Sequence, residues 1–244
     1  MFKKTFSPKD VGPILSKVLS GFRFDGSSPL STQAYNFLRQ KIISMELPPG
    51  IPLIETKISY ELGASRTPVR EALRQLASEH LIDVYPQSGN VVAPIKVELV
   101  ENAIFIRTAL EIANIRTLAR QISAKQLLEL QQNLQRQELA LKEESYVQFY
   151  ELDEQLHCSF FRFCGREQVW KLILSIKAHL DRARILTLPF FDMASRALTY
   201  HQFLVSAVEK GDPDAAEDYM KRHLNPLNTI LTRYEKEIAE YLDR

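Results

Sequence analysis

Two groups of residues in this chain have types and spacings suited to chemistry. The first is the run Gly63-Ala64-Ser65-Arg66-Thr67-Pro68-Val69-Arg70-Glu71-Ala72-Leu73-Arg74-Gln75-Leu76. Pro68 fits the first turn of a helix, where an amide has no intrahelical acceptor to lose. Val69, Ala72, Leu73 and Leu76 make an apolar stripe that anchors the helix on a core. Its beginning is polar and cationic. That is the layout of a recognition helix whose N-terminal part enters the major groove of DNA.

The second group is Asp153, His157, His201 and His223. Asp153 and His157 lie four apart, so on a helix they share a face. His201 and His223 fall on two helices joined by a short turn, at comparable heights from it. The four can converge inside a helical bundle, and imidazole with carboxylate suits zinc, nickel, manganese or iron. Spacing alone leaves open a plainer reading, interior histidines hydrogen-bonded within a core. His179 has no partner at useful spacing and reads as structural or as lining a cavity; His80 belongs to the first group's module.

The elements that must position these residues follow from periodicity. Residues 1–29 form an extension, with Val11, Ile14, Leu15, Val18, Leu19 and Phe22 at helical spacing and a break at Gly26-Ser27-Ser28-Pro29. A helix is expected from Ser31, capped by Ser31 or Thr32, to Ser44. Leu47-Pro48-Pro49-Gly50 ends it. A shorter helix follows from about Glu55 to Leu62, Gly63 is the tight turn, and the recognition helix runs to about Glu79. Leu81–Tyr85 and Asn90–Ile95 have strand composition and are linked by Pro86-Gln87-Ser88-Gly89. Three helices and a hairpin in this order make a winged helix-turn-helix over residues 30–96.

From Val97 onward no strand signal is visible. Helices are expected over about 97–122, 123–144, 146–164, 167–188, 193–209 and from Asp212 to about Tyr241. Ser123-Ala124-Lys125-Gln126 has the capping-box pattern, and Gly211-Asp212-Pro213 is a stop followed by a fresh start. The fold class is therefore mostly α: a winged helix-turn-helix with a small β-hairpin wing, then an antiparallel bundle of six to seven helices over 97–244.

Composition sets the outer bounds. The chain has 244 residues, is 45% hydrophobic and 25% charged, and carries a net charge of +1, an ordinary globular profile. Basic residues predominate mildly before position 97 and acidic ones after it, which suits a DNA-facing module joined to something else. The two cysteines, Cys158 and Cys164, read as buried reduced thiols. No apolar run approaches the ~20 residues of a membrane span, and lysines interrupt the front where a signal peptide would be apolar. A cytoplasmic protein without a membrane partner is expected.

The run from Gly63 to Leu76, preceded by Leu47-Pro48-Pro49-Gly50 and followed by Gly89-Asn90-Val91-Val92, resembles the GntR family of bacterial transcription regulators. The back half resembles the all-helical ligand domain of its FadR subfamily, through Ile106-Arg107-Thr108-Ala109-Leu110-Glu111, Leu152-Asp153-Glu154-Gln155-Leu156-His157, Tyr200-His201, and Ala207 through Gly211-Asp212 to Met220-Lys221-Arg222-His223-Leu224. The resemblance spans about residues 31–235. It implies DNA contacts at Ser65, Arg66, Thr67 and Arg70, with Gly89 at the wing tip. The chemistry agrees: Arg66 can donate a bidentate pair to guanine O6/N7, the Ser65 and Thr67 hydroxyls suit phosphate, and Arg70 reaches either. Arg74 reads as a solvated helix face.

The resemblance also implies a divalent metal on Asp153, His157, His201 and His223, zinc first, with nickel or manganese as alternatives. Beside it lies an effector cavity in which Arg107 engages a carboxylate; Arg184 is a second candidate. Departures from the family's habit are His80, where many members have glycine; Ser88, where many have arginine; Arg166, where a small polar residue is common; and a longer front arm. The expected function is a transcriptional regulator, a repressor by the family's common outcome. It binds a palindromic operator as a homodimer and answers to a small organic or sugar acid. Two other readings compete. One is a constitutive DNA binder with a purely structural metal. The other is a metalloenzyme using Glu154 or Glu111 as base, for which a helix opening on Ser65-Arg66-Thr67-Pro68 has no use.

Overall fold

The computed structural model describes residues 6, 8–86, 89–190, 192–224 and 238–243. They form two compact units, one from residues up to 97 together with the chain's last strand, the other from the helices after it.

In the front unit, helix α1 (Pro8–Leu19) buries Val11, Leu15 and Leu19. These stand four apart, so one stripe carries the whole contact. Helix α2 (Leu30–Ile43) buries Ala34, Leu38 and Ile42 in the same way. The expected cap at Ser31 or Thr32 is not used: the helix begins at Leu30 after Pro29 with no side-chain cap. Gln33 closes the entry instead. Its amide donates to the carbonyls of Ser28 (2.7 Å) and Asp25 (2.8 Å), and its oxygen accepts from the Asp25 amide (3.0 Å).

Strand β1 (Pro52–Leu53) leads into helix α3 (Glu55–Leu62), against which α1 packs; Ser16 Oγ donates to Glu61 at 2.7 Å. Gly63 then sits in the left-handed region at φ 66°, and helix α4 (Arg66–Ser78) starts three residues later with Val69, Ala72, Leu73 and Leu76 buried against α2. Strands β2 (Ile82–Tyr85) and β3 (Gly89–Val92) pair antiparallel, Ile82 opposite Val92 and Tyr85 opposite Gly89. β1 adds a third strand on the other side of β3, which two-residue strands do not announce in sequence. Ser88 lies outside the described residues.

His80 adopts φ 59°. This is the left-handed conformation, which costs a non-glycine residue about 1–2 kcal/mol. The glycine common at this position in the resembled family is thus what the turn itself favours.

Strand β4 (Ile95–Lys96) pairs in parallel with β5 (Leu242–Asp243), which follows a short 3₁₀ turn. The chain's last strand therefore belongs with the front unit, whereas the sequence reading placed everything after 97 in the bundle. The final helix is described only over Pro213–Leu224; its expected course over 225–237 lies outside the described residues.

The back unit consists of α5 (Val97–Ala119), α6 (Ala124–Lys142), α7 (Tyr146–Arg162), α8 (Glu167–Ile176), α9 (Ala178–Thr187), α10 (Met193–Glu209) and α11 (Pro213–Leu224). Ser123 and Gln126 form the reciprocal capping box. Asp212 caps α11 by accepting from the amides of Asp214 (3.1 Å) and Ala215 (2.9 Å), with Gly211 at φ 67° closing α10. The core runs through Ile115, Leu118, Leu130, Leu156, Phe160, Leu204, Val208 and Met220. Periodicity gives one helix over 167–188; the structure breaks it at Lys177. That residue is fully buried, and its ammonium meets Glu154 (2.7 Å) and Asp181 (2.5 Å). Neither glycine nor proline marks the break. The buried ion pairs coincide with it, and an apolar-periodicity reading has no access to them.

Two outcomes are expected. No atom would contact a Cβ at Gly63, so Gly63→Val loses about 1–2 kcal/mol from backbone conformation alone, whereas Gly63→Asn loses little; urea unfolding of the full chain measures both. Lys177→Ala leaves the buried Asp181 carboxylate without its cation, while Glu154 keeps Arg184, and costs about 3–5 kcal/mol, read in the same titration.

Candidate metal centre and DNA-facing helix

At the start of α4, Ser65 occupies the N-cap in extended conformation without making a cap bond. Ser65, Arg66, Thr67 and Arg70 are all exposed. Arg66 has no ion pair among the described residues. Arg70 does: its Nε and Nη2 donate to Glu55 at 3.1 and 2.8 Å, a forked pair at the start of α3. An exposed pair of this kind is weak, and the guanidinium can exchange it for a phosphate. Gly89 is exposed with φ 91°, at the edge of the wing's described part.

The structure brings Asp153, His157, His201 and His223 together. Asp153 and His157 project from α7, His201 from α10 and His223 from α11, and their ligand atoms all lie within 4.8 Å of one another. His157 Nε2 is 3.1 Å from His223 Nε2, which is 3.3 Å from His201 Nε2; Asp153 Oδ1 is 3.3 Å from His201 Nε2. Nitrogens bound to one zinc at ~2.0–2.1 Å stand roughly 3.0–3.4 Å apart, so the spacing suits a shared ion.

The hydrogen-bond network makes the same case by polarity. Arg107, which can only donate, gives its Nε proton to Glu111 Oε1 at 2.5 Å. The other oxygen of Glu111 accepts from His157 Nδ1. A neutral His157 then presents a bare lone pair at Nε2. On the other side, the Leu152 carbonyl can only accept. Asn133 therefore turns its amino group to it (3.0 Å), Gln137 donates to Asn133 Oδ1 (2.7 Å), and Gln137 Oε1 is left to accept from His201 Nδ1 (2.7 Å). His201 Nε2 is bare as well. Asp153 Oδ1 is buried without a hydrogen-bond partner among the described residues, as is His223 Nδ1. Two bare ring nitrogens and the Asp153 oxygen thus converge with His223 Nε2, whose single proton can serve only one of them at a time, whereas a cation serves all four.

Charge states agree. Burial pulls the pKa of His201 down and that of His223 well down, the latter helped by its neighbouring imidazoles. Burial raises Asp153, but Arg184 and the histidines outweigh it and hold this carboxyl well below its usual range. For Glu111, burial is outweighed by Arg107 and His157, leaving it at about 2. Neutral imidazoles and ionised carboxylates are the metal-binding forms.

His223 also lines a partly open cavity of about 70 Å³ whose wall includes Arg107, Arg184, Arg196, Thr187 and Tyr200 among apolar residues such as Ile104, Leu180, Leu188 and Met193. Both arginines singled out from sequence thus stand on this wall. They differ in freedom. Arg184 is engaged with Asp153 and with Glu154 (2.8 Å). Arg107 keeps Nη2 buried and unpartnered among the described residues. Arg166 is not on the wall; it donates to Asn114 (3.1 Å) and Thr117 (3.3 Å). His179 is buried in α9 and is not among the cavity's lining residues. Cys158 and Cys164 are free and half-buried, and burial raises both thiols.

Sequence reasoning considered Glu111 only as a base and missed Gln137 altogether. Both contact ligand histidines through the outward nitrogen. The signal available for Glu111 was its place four residues after Arg107, which puts the two on one helix face. Glu154, the other candidate base, is held by Lys177 and Arg184.

Residues 30–92 match the family model described as bacterial regulatory proteins, gntR family, and residues 102–226 match that of the FCD domain. The chain is 33% identical to the HTH-type transcriptional repressor RspR of Escherichia coli K12, over 88% of this chain and 94% of that one. It is 36% identical to an HTH-type transcriptional regulator in an unstable DNA locus of Streptomyces ambofaciens, over 78% and 80% of the two chains. Among solved structures, E. coli McbR/YncC superposes with a TM-score of 0.73 at 20% identity, covering 85% of this chain and 99% of that one, a likeness of fold. Among the described residues, no helix is long and apolar enough to cross a membrane.

The geometry sets an expectation for the purified protein. Metal analysis is expected to find about one equivalent of a divalent ion, lost in both Asp153→Ala and His201→Ala. Retention in either variant would mean that the four side chains do not act as one site.

Proposed function

Because the chain belongs to the GntR family of bacterial regulatory proteins, with an FCD domain behind its DNA-binding module, and is a transcription regulator rather than an enzyme, we propose that it represses transcription from a palindromic operator, bound as a homodimer, until a small carboxylate enters the back unit beside a divalent metal. The observation that carries this reading is the cavity wall. On it stand both His223 of the four-residue cluster and Arg107, whose Nη2 is buried without a hydrogen-bond partner among the described residues. A carboxylate there meets a cation on one side and a guanidinium on the other, the two strongest partners for its charge.

Zinc suits the cluster best: three imidazoles and one carboxylate are its ordinary ligands, at the spacing found here. When bound, the ion supplies a fixed positive charge at the cavity's inner end. The chain's own residues do the rest. Glu111 and Gln137 orient the imidazoles, Arg107 supplies a directional donor, and Ile104, Leu180 and Leu188 exclude water from the contact.

Serine, arginine and threonine at the start of α4 suit base and phosphate contacts as described above. One recognition helix reads only a few base pairs, so a dimer on two-fold repeated half-sites supplies the specificity. Repression is supported by the name given to the E. coli relative. Effector binding would act by population shift, stabilising the arrangement of two DNA-binding modules that no longer matches both half-sites.

Binding assays on operator DNA test both halves. Arg66→Ala is expected to lose about 1–3 kcal/mol of discrimination between specific and random DNA; unchanged discrimination would refute the recognition-helix assignment. Arg107→Ala is expected to keep operator affinity but ignore every carboxylate that releases the wild type. A wild type that binds the operator and responds to no carboxylate would support constitutive binding with a structural metal instead.

A further inference from the structure

Two of the four cluster side chains are tied to the cavity wall, and one is tied away from it. Asp153 pairs with Arg184, and His157 leans on Glu111, which leans on Arg107; both arginines line the cavity. His201 is oriented instead by Gln137, Asn133 and the Leu152 carbonyl, all neutral and none on the cavity wall. Of the two arginines, Arg184 already spends its outer nitrogens on two carboxylates. Arg107 spends Nε on Glu111 and keeps Nη2 unpartnered, although its side chain is only 3% exposed.

We propose that Arg107 and Glu111 form a relay through which an anion in the cavity tightens the hold of His157 on the metal. The proposal rests on the metal and carboxylate reading given above. An anion meeting Nη2 draws the guanidinium's charge toward itself and loosens its claim on Glu111. The other Glu111 oxygen then draws harder on the His157 Nδ1 proton, and Nε2 becomes a stronger donor to a cation, the ordinary effect of a carboxylate behind a ligand imidazole. Linkage makes the effect reciprocal: the metal strengthens anion binding by the same factor. Glu111 and Arg107 act through His157 and are positioning residues. The Nδ1 side of His201, whose partners Gln137, Asn133 and Leu152 are not on the cavity wall, is the built-in control.

Zinc affinity, measured by competition with a chromophoric chelator on the full chain, tests the relay without needing the natural effector. Arg107→Met imitates an arginine whose charge has been taken up. It is expected to tighten zinc about tenfold in the wild-type background, and less than about threefold when Glu111→Gln is also present. Glu111→Gln alone weakens zinc by about 10–100-fold. Gln137→Leu weakens zinc as well but leaves the full effect of Arg107→Met in place. An Arg107→Met effect that is absent, or equally large with Gln at position 111, overturns the relay.

Should a variant fail to fold, the zinc-loaded wild type decides by nitrogen-15 spectra of its histidine rings and arginine side chains during an acetate titration. The relay requires the His157 Nδ1–H signal to move with that of Arg107 while His201 stays still. Movement of Arg107 without His157 overturns the relay alone. No movement of Arg107 overturns the carboxylate reading beneath it, and a wild type that binds no zinc overturns the metal reading.

Discussion

The back unit is organised around atoms that all seek positive charge and are held where water cannot supply it. Asp153, His157 and His201 are fully buried, and hydrogen bonds behind the rings turn their bare nitrogens inward. Left to themselves, such acceptors repel one another and forfeit hydration worth several kcal/mol per buried charge. The surrounding side chains answer that cost in part. Asp153 meets Arg184, Arg184 meets Glu154, Glu154 meets Lys177, and Lys177 meets Asp181, so each ion is flanked by its opposite. The end of this ladder that faces the three imidazoles lacks a counter-ion among the described residues, and that is the place for a metal.

Several features of the fold serve this arrangement. The i,i+4 spacing on α7 presents Asp153 and His157 side by side, and the turn at Gly211 and Asp212 returns α11 along α10 so that His201 and His223 meet. The break at Lys177 accompanies the ladder: the ammonium sits under the rings of Tyr150 and Trp170, at 5.8 and 5.9 Å from their centroids, while reaching both carboxylates. The apolar core on Leu156, Phe160, Leu204 and Met220 holds the three ligand-bearing helices together. Without that packing the polar cluster would have no rigid frame to converge in.

The parts legible in the sequence were those written in short, local spacing. Pro68 after Ser65 announced the start of α4, Gly63 the turn before it, Ser123 with Gln126 the capping box, and Asp212 with Pro213 the start of α11. The metal cluster was readable because a turn of known direction joins its last two members. The outer partners were not readable, since Glu111 and Gln137 meet histidines 46 and 64 residues away. The Gln33 hydrogen bonds at the entry to α2, the Lys177 break and the return of Leu242–Asp243 to β4 were hidden as well. Each depends on a contact that no local pattern encodes, or on a strand of two residues, too short for alternation to register.

A site assembled this way would divide labour between the two ligands proposed for it. The four candidate ligands come from three helices, so in the proposed reading an ion bound there would be part of the folded unit. The cavity beside it has a different character. It is mostly apolar and partly open, and its wall includes Arg107, Arg184 and His223. The proposed effector would occupy this second space, which a molecule can enter without dismantling the core. In the proposed reading, an ion on the cluster would give every anion in the cavity the same inner contact. Discrimination among anions falls to the wall, to Ile104, Leu180, Leu188, Met193, Tyr200 and Arg196, whose shape and polarity judge the rest of the molecule.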